Sequence, residues 1–464
     1  MRNWPLVTAL LIHASARIAC AAGPANAPIS YSRDVNPILR ANCTGCHRPA
    51  QSKGNLDLSS YASLMRGGDE GPAIIPSRPD ASPLLQQVAG PEPSMPIDAE
   101  PLITSEIETI RTWILQGAID DTASADKGSQ PPTEPVYHRL PAVTAMSWAP
   151  ASPCLAISGW HEVTLHDTSQ LSVPGASNAP TRIARLIGAS PRIESLAFSA
   201  DGSLLVVSGG IPSESGEIQI WDVPSRTLRR SIRATRDALF GVSISQDGTR
   251  VAVGGADKIV RVFAIDDGRE IMKCDNHIDW VFGTAFSLDG TRLVSAGRDK
   301  ALKLIDISTG LLMDDICRPS EPLVGLARSP KEDWVVSASE TGGLRLYKMI
   351  PRGGRLAEGD DKEAGFIREL ERLPGPARSV TFSGDGEWLA AAGYSGEVRI
   401  HRVDNGQRIA SVPLGGGPIH ALALSPDHRH VAAGGYDGHV RIIDTSTSRV
   451  TRVLDPVPLE PKSR

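Results

Sequence analysis

Cys43, Cys46 and His47, in the run Ala41-Asn42-Cys43-Thr44-Gly45-Cys46-His47, are the residues of this chain whose types and spacing carry the most chemistry. Two thiols three residues apart reach one porphyrin edge and bond its two vinyl groups, while the histidine directly after them is aimed at the iron. The spacing predicts one covalent haem c, with Cys43 and Cys46 as thioether sites and His47 as the proximal ligand of the iron. A zinc half-site is the competing use of the same residues, and it needs a second pair of soft ligands.

Iron bound in this way needs a sixth ligand or an open position, and that choice separates electron transfer from small-molecule chemistry. Met95 is the candidate distal ligand. It stands in Glu92-Pro93-Ser94-Met95-Pro96, where flanking prolines limit backbone freedom and hold a thioether in place. A neutral thioether favours ferrous iron and raises the potential. Methionine also fills core gaps, and Met65, on a helical stretch with apolar neighbours, fits that use better than Met95 in its polar loop.

The elements that must position these groups are short. Ser32-Arg33-Asp34 opens a helical pattern with Val35, Ile38 and Leu39 on one face, and this helix delivers the two cysteines. Lys53 to Leu58 reads as extended, and Ser59 to Met65 as a second helix ended by Gly67-Gly68. A proline-rich run, Pro72 to Pro83, follows. After Pro101 comes an amphipathic helix with Ile103, Ile107, Ile110, Trp113 and Ile114 on one face and Glu106, Glu108 and Arg111 on the other, ended by Gly117.

The segment Ser32 to Ala118 resembles the small c-type cytochrome domain of exported planctomycete proteins. The residues that carry the likeness are Val35-Asn36-Pro37-Ile38-Leu39, the Cys43 to His47 motif, Leu56-Asp57-Leu58, Pro79 to Leu84, Met95-Pro96 and Ile110-Arg111-Thr112-Trp113-Ile114. The resemblance implies Cys43 and Cys46 as thioether sites, His47 as proximal ligand and Met95 as distal ligand.

Arg2, the apolar run Leu6 to Ile12 and the small residues around Ala19, Ala21 and Ala22 read as a secretory signal peptide, here residues 1–22. Export to the periplasm or cell surface is expected, in keeping with covalent haem attachment, which bacteria complete outside the cytoplasm. The apolar run is too short and too polar for a membrane span in the mature chain. Cys20 admits a lipid anchor, but Arg17 occupies the place where such signals carry a leucine-like residue. Cys154, Cys274 and Cys317 imply no disulfide framework; Cys274 and Cys317 lie 43 residues apart and are expected at equivalent places in a repeat, as buried apolar thiols. A net charge of -5 over 464 residues gives no basic field, so nucleic acid is not an implied partner.

From Thr122 to Glu134 the chain has almost no large apolar residue and reads as a flexible linker. Beyond it a fragment recurs at Phe198-Ser199-Ala200-Asp201-Gly202, Ile244 to Gly248, Phe286 to Gly290 and Phe382 to Gly386, with weaker copies at Trp148, Arg328 and Leu424. The spacings from Phe198 onward are 46, 42, 42, 54 and 42, those of a four-stranded propeller blade, the longest reflecting a polar insertion near Pro351 to Gly365. Each Asp-Gly predicts a tight turn. A small-residue strand such as Val251 to Gly255 follows, and then an alternating one such as Val260-Arg261-Val262-Phe263 or Val440-Arg441-Ile442-Ile443. Seven copies predict seven blades.

This part resembles the WD-repeat family. The likeness is fullest in blade four, where His277, Asp279-Trp280-Val281, Ser295 and Asp299 stand at the positions of the family's internal hydrogen-bond network, and Trp221-Asp222 ends the equivalent strand of blade two. The fold class is therefore multidomain: an all-α cytochrome c domain at 28–122, a linker at 123–136, an all-β seven-bladed propeller at 137–455 and a tail at 456–464. Either Tyr137 to Leu140 or Val450 to Leu454 supplies the closing outer strand. His420, His428, His430 and His439 cluster in the last blade and admit a metal site, although Asp427 and Arg429 interleave them as on a solvated turn. Trp160-His161, Tyr394 and Tyr436 either decorate one face, where exposed aromatics favour partner contacts, or pack.

No acid, base or nucleophile pair forms a catalytic set, so the expected function is single-electron transfer, with the propeller or the haem edge docking a protein redox partner. Two alternatives stay open: a propeller oxidoreductase with its own active site feeding the haem, and a haem-based redox or gas sensor.

Overall fold

A computed structural model describes residues 29–44, 46–48, 51–58, 60–91, 93–97, 101–120, 134–172, 180–188, 190–317, 321–351 and 365–460. The expected signal peptide with Cys20, Gly45 of the haem motif, most of the linker and the insertion near 351–365 lie outside them. The chain divides into two compact units, Met1–Gln130 and Pro131–Arg464.

In the first unit a π-helical turn, Tyr31–Val35, runs into α1 (Asn36–Asn42). Helix α2 (Tyr61–Arg66) starts at a reciprocal cap in which Ser60 and Ser63 satisfy each other's backbone amides. It stops at Gly67, whose φ of +78° favours glycine and where a Cβ would stand 2.1 Å from the Gly71 carbonyl oxygen. Helix α4 (Thr104–Leu115) buries Ile110, Trp113 and Ile114. Trp113 meets Tyr31 at 5.4 Å between ring centroids, and Tyr61 completes the aromatic trio at 5.2 Å from Tyr31. Tyr61 Oη donates to the Ala118 carbonyl at 2.8 Å and Trp113 Nε1 to that of Ile119 at 3.1 Å, so both polar tips are satisfied at the core's edge.

Three details differ from the sequence-based expectation. Lys53 to Leu58 is not extended throughout: Lys53–Asn55 form a 3₁₀ turn around Gly54. Ile103 is exposed rather than in the core, because it caps α4 while Glu106 accepts its amide at 3.1 Å. A further helix, α3 (Pro83–Val88), follows the proline-rich run and buries Leu84, Leu85 and Val88. Its signal was Pro83, a residue suited to the first helical position because the missing amide hydrogen is not needed there.

The second unit is a ring of seven four-stranded antiparallel sheets, each built from consecutive strands. The blades span 146–187, 193–235, 239–274, 281–317, 323–370, 377–413 and 419–454. The first strand of each blade touches the first strands of its neighbours around the ring, including the last blade against the first, so these strands surround the axis. Val450 to Leu454 belongs to the closing outer strand (Arg449–Leu454), and Tyr137 contributes only an isolated parallel bridge to Leu459.

The repeated fragment is a turn with a fixed chemistry. Ser199 Oγ bonds Asp201 Oδ1 at 2.5 Å and accepts from the Leu204 amide at 2.9 Å, while Gly202 takes a φ of +73°. Ser245 with Asp247, Ser287 with Asp289, Ser383 with Asp385 and Ser425 with Asp427 repeat it. In the last copy His428, at φ +52°, stands where the others have glycine.

The third strands depart from simple alternation. Neighbouring blades cover both faces of each sheet, so Arg261, Lys303 and Arg399 are buried together with the apolar residues. Each has an acid partner: Arg261 meets Asp257 at 2.7 Å, Lys303 meets Asp315 at 3.0 Å and Arg399 meets Glu397 at 2.9 Å. Buried charge is tolerated only when paired in this way.

In blade four His277 Nδ1 lies 2.9 Å from Asp299 Oδ2, and Nε2 lies 2.8 Å from Ser295 Oγ. A Cβ on Gly297 would come within 2.5 Å of both the Asp299 carboxylate and the His277 ring, so the network fixes glycine there. Asp279 and Trp280 stand outside it. Asp279 accepts the Trp280 amide at 2.8 Å, and the Trp280 ring is partly exposed.

Candidate functional site

Helix α1 delivers the cysteines as the sequence pattern predicts. The Cys43 amide donates to the Leu39 carbonyl at 2.8 Å, continuing the helical turn, and the amides of Cys46 and His47 both return to the Cys43 carbonyl, at 3.2 and 3.1 Å. His47 opens a two-residue strand, β1 (His47–Arg48), paired antiparallel with β2 (Gln51–Ser52). Its carbonyl accepts from the Leu58 amide at 3.0 Å. The backbone of His47 is thus tied on both sides, which orients the ring.

The ring has its own anchor: His47 Nδ1 lies 3.3 Å from the Leu56 carbonyl oxygen. A carbonyl only accepts, so Nδ1 carries the proton and Nε2 bears the lone pair. Metal-binding histidines are commonly held in this tautomer by a backbone carbonyl.

Cys43 is half-buried and Cys46 exposed, and no disulfide joins them. Burial, with the Glu106 carboxylate adding to it, pushes the Cys43 thiol up to about 11. Cys43 is therefore a thiol and not a thiolate at neutral pH, which slows its oxidation.

Met95 is held by α3. Its amide donates to the Gln87 carbonyl at 3.0 Å, and Ser94 Oγ reaches the Gln87 side chain. Pro96 follows it through a cis peptide. Met95 and Cys43 both pack, partly buried, against the one apolar core that contains Tyr31, Leu64 and Trp113; Met65 packs there too. The residues present fit a c-type haem: two unbridged cysteines at the right spacing, an imidazole with its tautomer fixed, and a thioether against the same core.

The other candidate ligands do not converge. Cys274 and His277 have the spacing of a soft-ligand pair, but both ring nitrogens of His277 are committed to Asp299 and Ser295. The four histidines of the last blade take separate places. His428 pairs with Asp385 at 2.6 Å and stacks on Trp388, and His439 pairs with Asp455 at 2.7 Å. His430 is buried in its strand, and His420 meets Tyr436 edge-on at 4.4 Å between centroids. Among the described residues no three His, Cys, Asp or Glu side chains gather as a metal site. Cys274 and Cys317 close the outer strands of blades three and four, at equivalent places as the spacing implies, and both are buried.

Residues 43–97 match the family described as Planctomycete cytochrome C. Residues 180–222, 226–263 and 268–306 match the WD domain, G-beta repeat, and residues 380–458 match the WD40 domain of anaphase-promoting complex subunit 4. Each G-beta match starts at the outer strand of one blade and ends with the third strand of the next, so one sequence repeat staples two blades. The chain is also similar to Protein groucho of Drosophila melanogaster, 30% identical over 110 residues that make up 24% of this chain and 14% of groucho. No helix among the described residues is long and apolar enough to cross a membrane. The chain joins a planctomycete-type c-type cytochrome domain, a family that implies a c-type haem, to a seven-bladed WD-repeat propeller.

Proposed function

We propose that this chain is an exported single-electron carrier with one haem c bound covalently through Cys43 and Cys46, ligated by His47 and Met95, and with its propeller as the dock for a protein partner. The observation that carries the reading is the posture of His47, whose Nδ1 is engaged by the Leu56 carbonyl, leaving the lone pair on Nε2. Haem c in such a site supplies reversible exchange between ferrous and ferric iron.

The chain's own residues divide the remaining work. Cys43 and Cys46 fix the orientation of the ring edge. The Leu56 carbonyl makes the imidazole a stronger donor. Met95, anchored through Gln87, offers a neutral thioether that favours the reduced state, while the core behind Cys43 and Met95 keeps water from that side. Support for docking comes from Trp160, Tyr394 and Tyr436, more than half exposed on turns between second and third strands.

The test is a spectroelectrochemical titration of the matured full chain. It should fit a single one-electron step, with a ferric methionine-to-iron charge-transfer band, and Met95→Ala should lose the band and lower the potential. A wild-type protein without that band, unchanged by Met95→Ala, contradicts the electron-carrier reading and favours a sensor with an open position.

A further inference from the structure

The axis of the propeller holds a cavity of about 570 Å³, within the roughly 300 to 1,000 Å³ of small-molecule sites. Its mouth is built by one device used repeatedly. In six blades the innermost strand slips register at its second residue, and the residue at that slip is Glu194, Phe240, Phe282, Val324, Arg378 or His420. All six line the cavity. A bulge leaves one residue out of the ladder and re-aims its side chain, which is why bulges gather beside binding sites.

The six do not form a uniform ring. Blades three to five contribute Phe240, Phe282 and Val324, and the two phenylalanine rings lie 5.0 Å apart, with Trp280 at 5.5 Å from Phe240. Blades six, seven and two contribute Arg378, His420 and Glu194. The Glu194 carboxylate is 5% exposed and paired with Arg192, which balances its charge. Burial raises Glu194 above the usual carboxylate range against the pull of Arg192 and Arg378, and burial with the same two arginines pushes His420 down to about 4. His420 is therefore neutral, and its Nε2 is buried with no hydrogen-bond partner among the described residues. With Glu194 answered by Arg192, the Arg378 guanidinium is left as the net charge of the polar wall.

We infer that the channel mouth binds a small aromatic carboxylate, its acid group on Arg378 and its ring against Phe240 and Phe282. The two walls ask for both halves of such a molecule. A cation meets Arg378 unfavourably, and a purely apolar ligand desolvates the guanidinium without offering it an acceptor. The recessed polar groups and the size of the cavity favour a free small molecule over a peptide strand lying across the face.

Titration calorimetry of the full chain with indole-3-acetate, its neutral amide and tryptamine tests this. The acid should bind about tenfold tighter than the amide, the gain of one charge-assisted hydrogen bond, and tryptamine should bind least. Arg378→Gln should bring acid and amide to equal affinity, and Phe282→Leu should weaken both without changing their ratio. Each variant is compared by circular dichroism to establish that the ring has formed. Equal affinity for acid and amide in the wild type, or no heat from the acid at millimolar concentration, overturns the inference. So does binding of an indole-bearing peptide in place of the free acid.

Discussion

Asp299→Ala should cost the propeller about 2 to 3 kcal/mol. The Asp299 carboxylate accepts from His277 Nδ1 at 2.9 Å, and the two side chains are 3% and 0% exposed. Removing the carboxylate leaves a buried imidazole donor unanswered, and an unsatisfied buried group costs about 1 to 3 kcal/mol, nearer the top of that range for charge-assisted bonds. The Ile278 amide, at 3.1 Å, also loses its acceptor, but this residue is exposed and water replaces the bond. Relief from burying a carboxylate does not cancel the loss. Burial works against the charged form of Asp299, yet the His277 hydrogen bond and charge still hold its carboxyl below the usual range, so attraction outweighs desolvation. The cavity is small, since Gly297 and His277 already crowd the site. For a unit of this size the loss corresponds to a fall of roughly 3 to 4 °C in Tm. Thermal melts at one fixed scan rate measure it, because unfolding of a large ring is governed by rates as well as equilibrium. His277→Ala should lose a similar amount, and the double variant should lose little more than either single one. A Tm change under about 1 °C, or full additivity in the double variant, refutes the reasoning.

Acid should weaken the propeller in two stages. Burial holds the His166 and His401 imidazoles down at about 4 against an ordinary 6.5, so the stability they contribute is complete above 6.5 and is lost as pH falls to 4. The turn carboxylates follow: the Ser287 hydroxyl and Thr291 amide hold Asp289 at about 2 against an ordinary 3.8, so its contribution disappears as pH falls from about 4 to 2. Melts from pH 7 to 2 read both stages, Asp289→Asn should reduce the lower one by the share of one of the five turn carboxylates, and constant stability from 6.5 to 4 contradicts the first. In the cytochrome unit, Cys46→Ser should leave haem held through Cys43 alone, seen as a blue-to-red shift of the alkaline pyridine haemochrome band toward that of a haem with one remaining vinyl group. An unshifted band means that Cys46 carries no bond.

The ring was legible because its signals are local. The serine, aspartate and glycine of the turn bond one another within five residues, so the fragment reads the same in blades two, three, four and six, and in blade seven with His428 in place of the glycine. The channel mouth was not legible from any single stretch, since Glu194, Phe240, Phe282, Arg378 and His420 meet only when the ring closes. Their position is nevertheless regular: each stands four residues before the start of a repeated fragment, at Phe198, Ile244, Phe286, Phe382 and Leu424. Arg261 reads as outward-facing in the alternating strand Val260 to Phe263 because strand alternation assumes one wet face, whereas blades cover both. Around the haem motif, the two cysteines and His47 were marked by spacing alone. The Leu56 carbonyl was invisible, because any residue supplies one, and α3, which anchors Met95 through Gln87, is too short for its periodicity to stand out from the prolines before it.

The attachment of the cofactor underlies the whole functional account, and the most direct measurement is extraction of the exported, matured protein with acidified acetone, followed by intact mass. Colour that stays with the polypeptide, and a mass raised by one haem over the cleaved chain, is the result expected. A colourless protein, or colour that passes into the solvent and leaves the bare mass, contradicts it.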